Sequence, residues 1–453
     1  MKKAASPIPE RPHRRREAWR AGVVAAATTS LEWYDFFIYA TATAVVFNVT
    51  FFATEDPTTA TINSFATLAV GSVARPLGGI VAGHFGDRVG RKPVLVAGTI
   101  LMGGATTLVG FVPSTQIVWL APLILVVLRL CQGLAVGAQW GGAVLMATEY
   151  APPNRRGLYG SFAQIGIPIG LVLGNAVFMI ASSTLDPDQF LSWGWRIPFW
   201  LSALILVLAY GIHRYMEDTP EFRSVERSLA QKPRQKSSAL QVLRKHPMLI
   251  IAAAGTYLVG IVVFYTTVTS ALQYATVICG VDRSTALLIV LVSTAVCIPL
   301  TPLCAYLSDI YGRKLIYGIG IVAMSAWAIP AWLLLAQSSQ SNLWPMILAV
   351  GVSTVTMSFQ QGTQAALFAE LFPPEIRFSG ATIGYSLASL LGGFSPMVAV
   401  ILVDGQPQNG WRVGIFISVL GVFALACLRA ISTLRQGRFV PASTPNIFDS
   451  QRV

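Results

Sequence analysis

One short charged pattern occurs twice in this chain. Asp87-Arg88-Val89-Gly90-Arg91-Lys92 returns as Asp309-Ile310-Tyr311-Gly312-Arg313-Lys314, and 309 − 87 = 222. Each copy separates two long apolar runs. Other landmarks keep nearly the same offset. Glu149-Tyr150-Ala151-Pro152-Pro153 with Arg156 returns as Glu370-Leu371-Phe372-Pro373-Pro374 with Arg377, at 370 − 149 = 221. Gly194-Trp195-Arg196 returns as Gly410-Trp411-Arg412, at 410 − 194 = 216. Chance recurrence of turn residues does not keep three landmarks in one order at near-constant spacing. The chain therefore reads as two similar halves.

The solvent for those halves follows from the charge content. Only 11% of residues are charged and 54% are hydrophobic, with a mean hydropathy of +0.61. A soluble protein carries roughly 25% charged residues. In a bilayer, backbone polar groups must be paired inside the spanning element, which leaves helices or a closed barrel. The apolar runs are about 20 residues long without strict alternation, which selects helices. Twelve spans are expected, at roughly 21–47, 61–86, 93–112, 118–147, 158–182, 196–213, 248–275, 284–308, 315–336, 343–368, 380–403 and 411–432. The expected fold is an all-α membrane protein of twelve transmembrane helices in two pseudo-symmetric six-helix bundles. Its parts are an N-terminal tail (1–20), a first bundle (21–213), a linker (214–247), a second bundle (248–432) and a C-terminal tail (433–453). Thr219-Pro220-Glu221 predicts a short helix start within the linker.

A net charge of +12 invites a nucleic-acid reading, which its distribution excludes. On these spans, 27 of the 32 Lys/Arg fall on one side of the membrane. This is the positive-inside pattern, and it predicts that both termini are cytoplasmic in a multi-pass protein of the cell's inner (plasma) membrane. The basic N-terminal run lacks the short apolar core and small-residue site of a cleaved signal peptide. Five cysteines without CxxC spacing predict free thiols. The four histidines make no metal-ligand pair, and no GxxxxGK[ST] loop is present, so neither metal chemistry nor ATP hydrolysis is expected.

Several motifs are similar to those of a known family. Gly83-His84-Phe85-Gly86-Asp87-Arg88-Val89-Gly90-Arg91-Lys92 resembles the signature between the second and third helices of the major facilitator superfamily. Leu31-Glu32-Trp33-Tyr34-Asp35-Phe36, Arg75-Pro76-Leu77-Gly78-Gly79, Trp193-Gly194-Trp195-Arg196-Ile197-Pro198-Phe199 and Met216-Glu217-Asp218-Thr219-Pro220-Glu221-Phe222 resemble the narrower metabolite:proton symporter family. Phe85-Gly86-Asp87-Arg88, Gln189-Phe190-Leu191-Ser192-Trp193 and Gly141-Gly142-Ala143-Val144-Leu145 look most like its shikimate-type organic acid carriers. The resemblance implies proton-coupled symport of a small organic acid by alternating access, with the proton as coupling ion and no cofactor. The alternative within the family is a proline/betaine-type osmolyte symporter. That branch often carries a C-terminal coiled coil, and no heptads follow residue 433 here. The alternative of another class is a non-transporting membrane sensor of the same fold. Relatives commonly place a glutamate where this chain has Gln139, which leaves proton handling at that position open.

A charge at the centre of a span costs about 2.5–3.5 kcal/mol on insertion scales, so each needs a reason. Counting about 1.5 Å per residue places Glu32 roughly 18 Å from the cytoplasmic face, Asp35 deeper, Arg75 about 16 Å and Gln139 about 14 Å, with Arg129 nearer the outside. Glu32 and Arg75 can sit level. Glu32 and Asp35 share a helix face. The second half has no midspan charge, but it offers Tyr257, Tyr265, Gln273, Gln360, Gln361, Gln364 and Tyr385, and Gln360 is the repeat equivalent of Gln139. An ionic first wall thus faces a neutral, hydrogen-bonding second wall. In this reading Arg75 or Arg129 receives a carboxylate, and Glu32 or Asp35 takes the proton. A permanent Glu32–Arg75 ion pair is the structural alternative. Tyr39 belongs to an aromatic cluster, with Trp33, Tyr34, Phe36 and Phe37, that can cover a ring-shaped substrate or serve helix contacts.

The repeated motif has another expected task. Asp87, Arg88, Arg91, Lys92, Glu149 and Arg156, with Asp309, Arg313, Lys314 and Glu370, lie at cytoplasmic helix ends. By the resemblance, they hold that side shut while the outside is open. Topology determination by positive charge needs the cations but not Asp87. The expected partners are a small-molecule substrate and the lipid bilayer, for a chain acting as a monomer. No nucleophile–base constellation marks an enzyme.

Overall fold

The computed structural model describes residues 12–47, 50–52, 57–113, 119–215, 244, 246–374 and 376–438. Among these, the sole β-pairing is an isolated bridge between Ser339 and Asn342. Among the described residues, nine helices are long and apolar enough to cross a membrane: α3 (Arg91–Val109), α4 (Leu120–Glu149), α5 (Pro153–Thr184), α6 (Gly194–Ile212), α7 (Pro247–Ile278), α8 (Arg283–Tyr311), α9 (Arg313–Leu335), α11 (Arg377–Val403) and α12 (Pro407–Leu434). Three more, α1 (Pro12–Ala42), α2 (Pro57–Gly86) and α10 (Trp344–Leu371), are 31, 30 and 28 residues long. At 1.5 Å per residue each exceeds a hydrocarbon core of about 30 Å. They are the helices that carry Glu32, Asp35, Arg75, Gln360 and Gln364.

Residues such as Leu77, Ile180, Leu204, Val207 and Ile401 stand exposed on the outer surface. Lipid tails cover such side chains at no cost, and water does not. Helix ends fall within a few residues of the expected spans, with one difference. α1 begins at Pro12 rather than near 21. The sequence Arg14-Arg15-Arg16-Glu17-Ala18 consists of good helix formers, so the helix continues past the apolar run. The expected helix start at Thr219-Pro220-Glu221, and the tails before 12 and beyond 438, lie outside the described residues.

Within the first half α1 packs on α5, α2 on α4, and α3 on α4 and α6; within the second, α9 packs on α10 and α12, and α7 on α11 and α12. The halves meet where α2 packs on α11 and where α5 packs on α8 and α10. Glycine decides one of these contacts. A Cβ on Gly137 of α4 would overlap the carbonyl oxygen of Arg75, and one on Gly133 would overlap that of Gly71. These glycines let α4 lie directly on the backbone of α2 and so fix where the Arg75 side chain starts.

Candidate functional site

The buried charges of the first half come together, but not in the pairing expected from depth alone. The ion pair is Asp35–Arg129, at 3.4 Å. Asp35 Oδ1 also accepts from Thr106 Oγ1 (2.6 Å) and Gln132 Nε2 (2.7 Å), and Arg129 Nη1 donates to Gln132 Oε1 (3.1 Å). The Arg129 guanidinium lies 4.3 Å from the Tyr39 ring centroid, and the Tyr39 hydroxyl donates to Thr67 Oγ1 at 2.9 Å. α1, α2, α3 and α4 all contribute. Both Asp35 oxygens are engaged, while Arg129 Nε is buried without a hydrogen-bond partner.

Glu32 and Arg75 are arranged differently. Glu32 is 3% exposed, and its Oε2 has no hydrogen-bond partner. Arg75 has Tyr265 of α7, Tyr385 of α11 and Glu32 as electrostatic neighbours. Arg75 thus faces the seam between the halves. Phe36 links the two clusters, with Arg75 5.7 Å and Arg129 5.8 Å from its centroid. A void with room for about one water is lined by Glu32, Asp35, Phe36, Arg75, Arg129 and Gln132, among others.

The facing wall is neutral. Gln360 Nε2 donates to the Thr256 carbonyl at 2.9 Å, and Gln164 Nε2 of α5 donates to Gln364 Oε1 across the halves at 3.2 Å. Tyr385 stacks on Trp140 of α4 and, at 5.3 Å and 19°, on Tyr257. Gln139 packs beside Gly98 of α3, with its Oε1 unpaired. Gln164 Oε1 and the indole N–H groups of Trp33 and Trp140 are likewise buried without partners. So many unpaired polar atoms are unusual in a packed interior and suit a lining that binds something. Trp140, Gln164 and Thr106 were not singled out from sequence; their signal was proximity to partners distant in the chain.

The repeated motifs end in matched contacts. Asp87 accepts from the backbone N–H groups of Phe378 and Ser379 (3.2 Å each) and from Ser379 Oγ (2.5 Å). Asp309 accepts from the N–H groups of Gly157 and Leu158, at 2.9 Å each. Each acid therefore caps the first turn of a helix in the other half, where free N–H groups and the helix dipole favour an anion. Burial pushes the Asp87 carboxyl up to about 6, against its hydrogen bonds from Ser379 and the charge of Arg91. Around the caps, Glu149 holds Arg91 (3.6 Å) and Arg377 (3.2 Å), and Arg91 reaches the Pro374 carbonyl (3.0 Å). Arg313 bridges Asp309 (2.5 Å) and Glu370 (3.5 Å), and Lys314 donates to Ser432 (2.6 Å). Arg156 opens the regular part of α5. Arg88 and Lys92 form no ion pair among the described residues.

The model of the major facilitator superfamily matches residues 26–281 and 265–446. This chain belongs to the major facilitator superfamily. Among curated relatives, the shikimate transporter of Escherichia coli K12 is 36% identical over 403 residues, covering 88% of this chain and 91% of that protein. The inner membrane metabolite transport protein YhjE of the same organism is also 36% identical, over 406 residues, with the same coverage. The fold matches that of the proton:xylose symporter XylE bound to 6-bromo-6-deoxy-D-glucose, with a TM-score of 0.70, 18% identity, and coverage of 94% of this chain and 97% of that one. Glu32, Arg75, Gln364 and Tyr385 all lie on the seam between the halves.

Proposed function

We propose that this chain is a secondary carrier of the inner membrane that moves a small organic acid together with a proton, with both termini cytoplasmic. The observation that carries this reading is Glu32, buried with a vacant oxygen beside Arg75, on the seam that must open and close. Arg75 receives the substrate carboxylate, because Arg129 is already held by Asp35. Glu32 carries the proton. When the substrate anion occupies Arg75, Glu32 loses that cation's support for its own charge and takes up a proton more readily. Substrate binding and proton binding then favour each other, which is coupling in its simplest form. Asp35 and Arg129 hold α1, α2, α3 and α4 in register.

The two helix caps and the Glu149 and Arg313 clusters form the cytoplasmic closure. For the site to open inward, α11 must leave Asp87 and α5 must leave Asp309. Relationship to the shikimate transporter supports a carboxylate substrate. The test is uptake by the purified chain in proteoliposomes under an imposed pH gradient, with shikimate, benzoate, 2-oxoglutarate, citrate, proline and glycine betaine. Gradient-driven uptake of an acid with alkalinisation outside supports the reading; no response to the gradient by any of them refutes it.

A further inference from the structure

α2 and α11 run antiparallel where the halves meet. A Cβ on Gly83 of α2 would lie 2.8 Å from Ser379 Oγ, and one on Gly79 would lie 2.9 Å from Ser386 Oγ and 3.3 Å from Thr382 Cγ2. One turn further from the cytoplasmic end lie Arg75 on α2 and Ser389 on α11. Ser379, Thr382, Ser386 and Ser389 recur at intervals of three and four, so they share one face of α11. The row covers 389 − 379 = 10 residues, about 15 Å of helix. It leads from the level of Arg75 to the cap that Asp87 makes on Ser379. Two of its hydroxyls stand out. Thr382 is 0% and Ser386 1% exposed, and neither oxygen has a hydrogen-bond partner. A Ser or Thr inside a helix can bond the carbonyl one turn back, and Thr28, Thr99, Thr148 and Thr294 do so here. Thr382 and Ser386 instead point at α2 and α4, where Gly79 and Gly141 leave them room. The repeat-related seam differs. Where α5 meets α8, Ser161 donates to the Leu158 carbonyl (2.6 Å) and Ser308 to that of Ala305 (2.7 Å).

We propose that the row Ser379, Thr382, Ser386 and Ser389 lines the path by which the substrate carboxylate leaves Arg75 for the cytoplasm, so that release runs along α2 and α11 rather than along α5 and α8. This rests on the carrier reading above and deepens it by naming the exit of that site. When Asp87 lets go of α11, that helix moves off the glycines of α2 and the hydroxyls meet water. A buried hydroxyl without a partner is costly, and wetting removes that cost, so the row favours opening on this side. Each freed O–H can then donate to a carboxylate oxygen of the departing substrate. Neutral donors suit a path. They replace part of an anion's hydration without holding it as another arginine would, and conduction needs binding weak enough to leave.

The experiment uses the full chain in proteoliposomes, with shikimate and benzoate as carboxylate probes. The test variant is Thr382→Val combined with Ser386→Ala, and the control is Ser161→Ala on the other seam. The double variant is expected to keep its unfolding temperature, its KM for external probe and its final accumulation, because the site and the coupling are untouched. Its kcat is expected to fall about tenfold, the effect of removing a hydrogen bond to a charged group. The control keeps the native rate. A double variant that transports at the native rate, or one that loses rate and stability together, overturns the proposal. A second measurement reads the path without relying on the rate. Ser386→Cys and Ser161→Cys, each in the full chain, are treated from the cytoplasmic side with a small water-soluble thiol reagent, and labelling is located by peptide mass. Labelling at 386 that spares 161 supports the α2–α11 exit; equal labelling, or labelling at 161 alone, overturns it. If the native chain takes up neither probe in response to the pH gradient, the carrier reading fails, whereas labelling still decides whether this row is wetted.

Discussion

The indole of Trp140 and the ring of Tyr385 lie flat on one another, with centroids 3.9 Å apart and planes 4° from parallel. Trp140 belongs to α4 in the first half and Tyr385 to α11 in the second, so this stack is a direct join between the two bodies. Trp140 is 1% exposed and Tyr385 2%. Trp140→Ala is expected to destabilise the closed form by about 3–5 kcal/mol, as loss of a core tryptophan does. Tyr385→Phe keeps the ring and is expected to cost less than about 1 kcal/mol. Thermal unfolding in detergent checks both.

Arg129 and Arg75 should separate by kind of defect. Removing Arg129 leaves Asp35 as an unpaired buried charge, which costs about 3–5 kcal/mol. Arg129→Gln is therefore predicted to lower the unfolding temperature strongly. Arg75→Gln is predicted to abolish substrate binding with a smaller loss of stability, since among the described residues no ion pair within 4 Å is broken. Unfolding temperature and substrate affinity, measured on both variants, distinguish the roles; equal profiles contradict the assignment.

Gly137 and Gly104 give a paired test of helix approach. A methyl group at 137 strikes the Arg75 carbonyl, whereas one at 104 meets nothing within 4 Å. Gly137→Ala is expected to cost about 1–3 kcal/mol by overpacking and to disturb uptake through Arg75. Gly104→Ala is expected to be neutral or to stabilise by up to about 1 kcal/mol, from helix propensity.

Closure at the Asp87 cap should depend on pH in a definite direction. Its carboxyl is raised from 3.8 to about 6 in the closed form. The closed form thus binds the proton more tightly than the open form, in which the carboxyl is solvated. Closure is strongest at low pH and weakens as pH rises towards about 6, then levels off. Asp87→Asn is predicted to flatten this dependence and to impair transport. Accessibility of an engineered cysteine in α11, followed between pH 4 and 8, reads the effect; normal transport by Asp87→Asn removes the gate role.

Hydropathy located the helices because a bilayer demands long apolar runs, and α9, expected at 315–336, is found at Arg313–Leu335. What could not be read was which way each side chain points around its helix. Glu32 and Arg75 were level, and yet the bonded pair is one turn away, because Thr106 and Gln132 complete a polar nest there. The cross-half contacts, such as Asp87 on α11 and Gln164 on Gln364, depend on how the halves dock, which no local pattern encodes.

The most direct test of the account is gradient-driven accumulation by Glu32→Gln in proteoliposomes, beside the native chain and Asp35→Asn. The account predicts that Glu32→Gln loses the roughly tenfold accumulation that each pH unit supplies per proton, with substrate exchange at equal pH reduced less. Asp35→Asn should instead lose exchange and stability together. Accumulation by Glu32→Gln equal to that of the native chain would contradict the account.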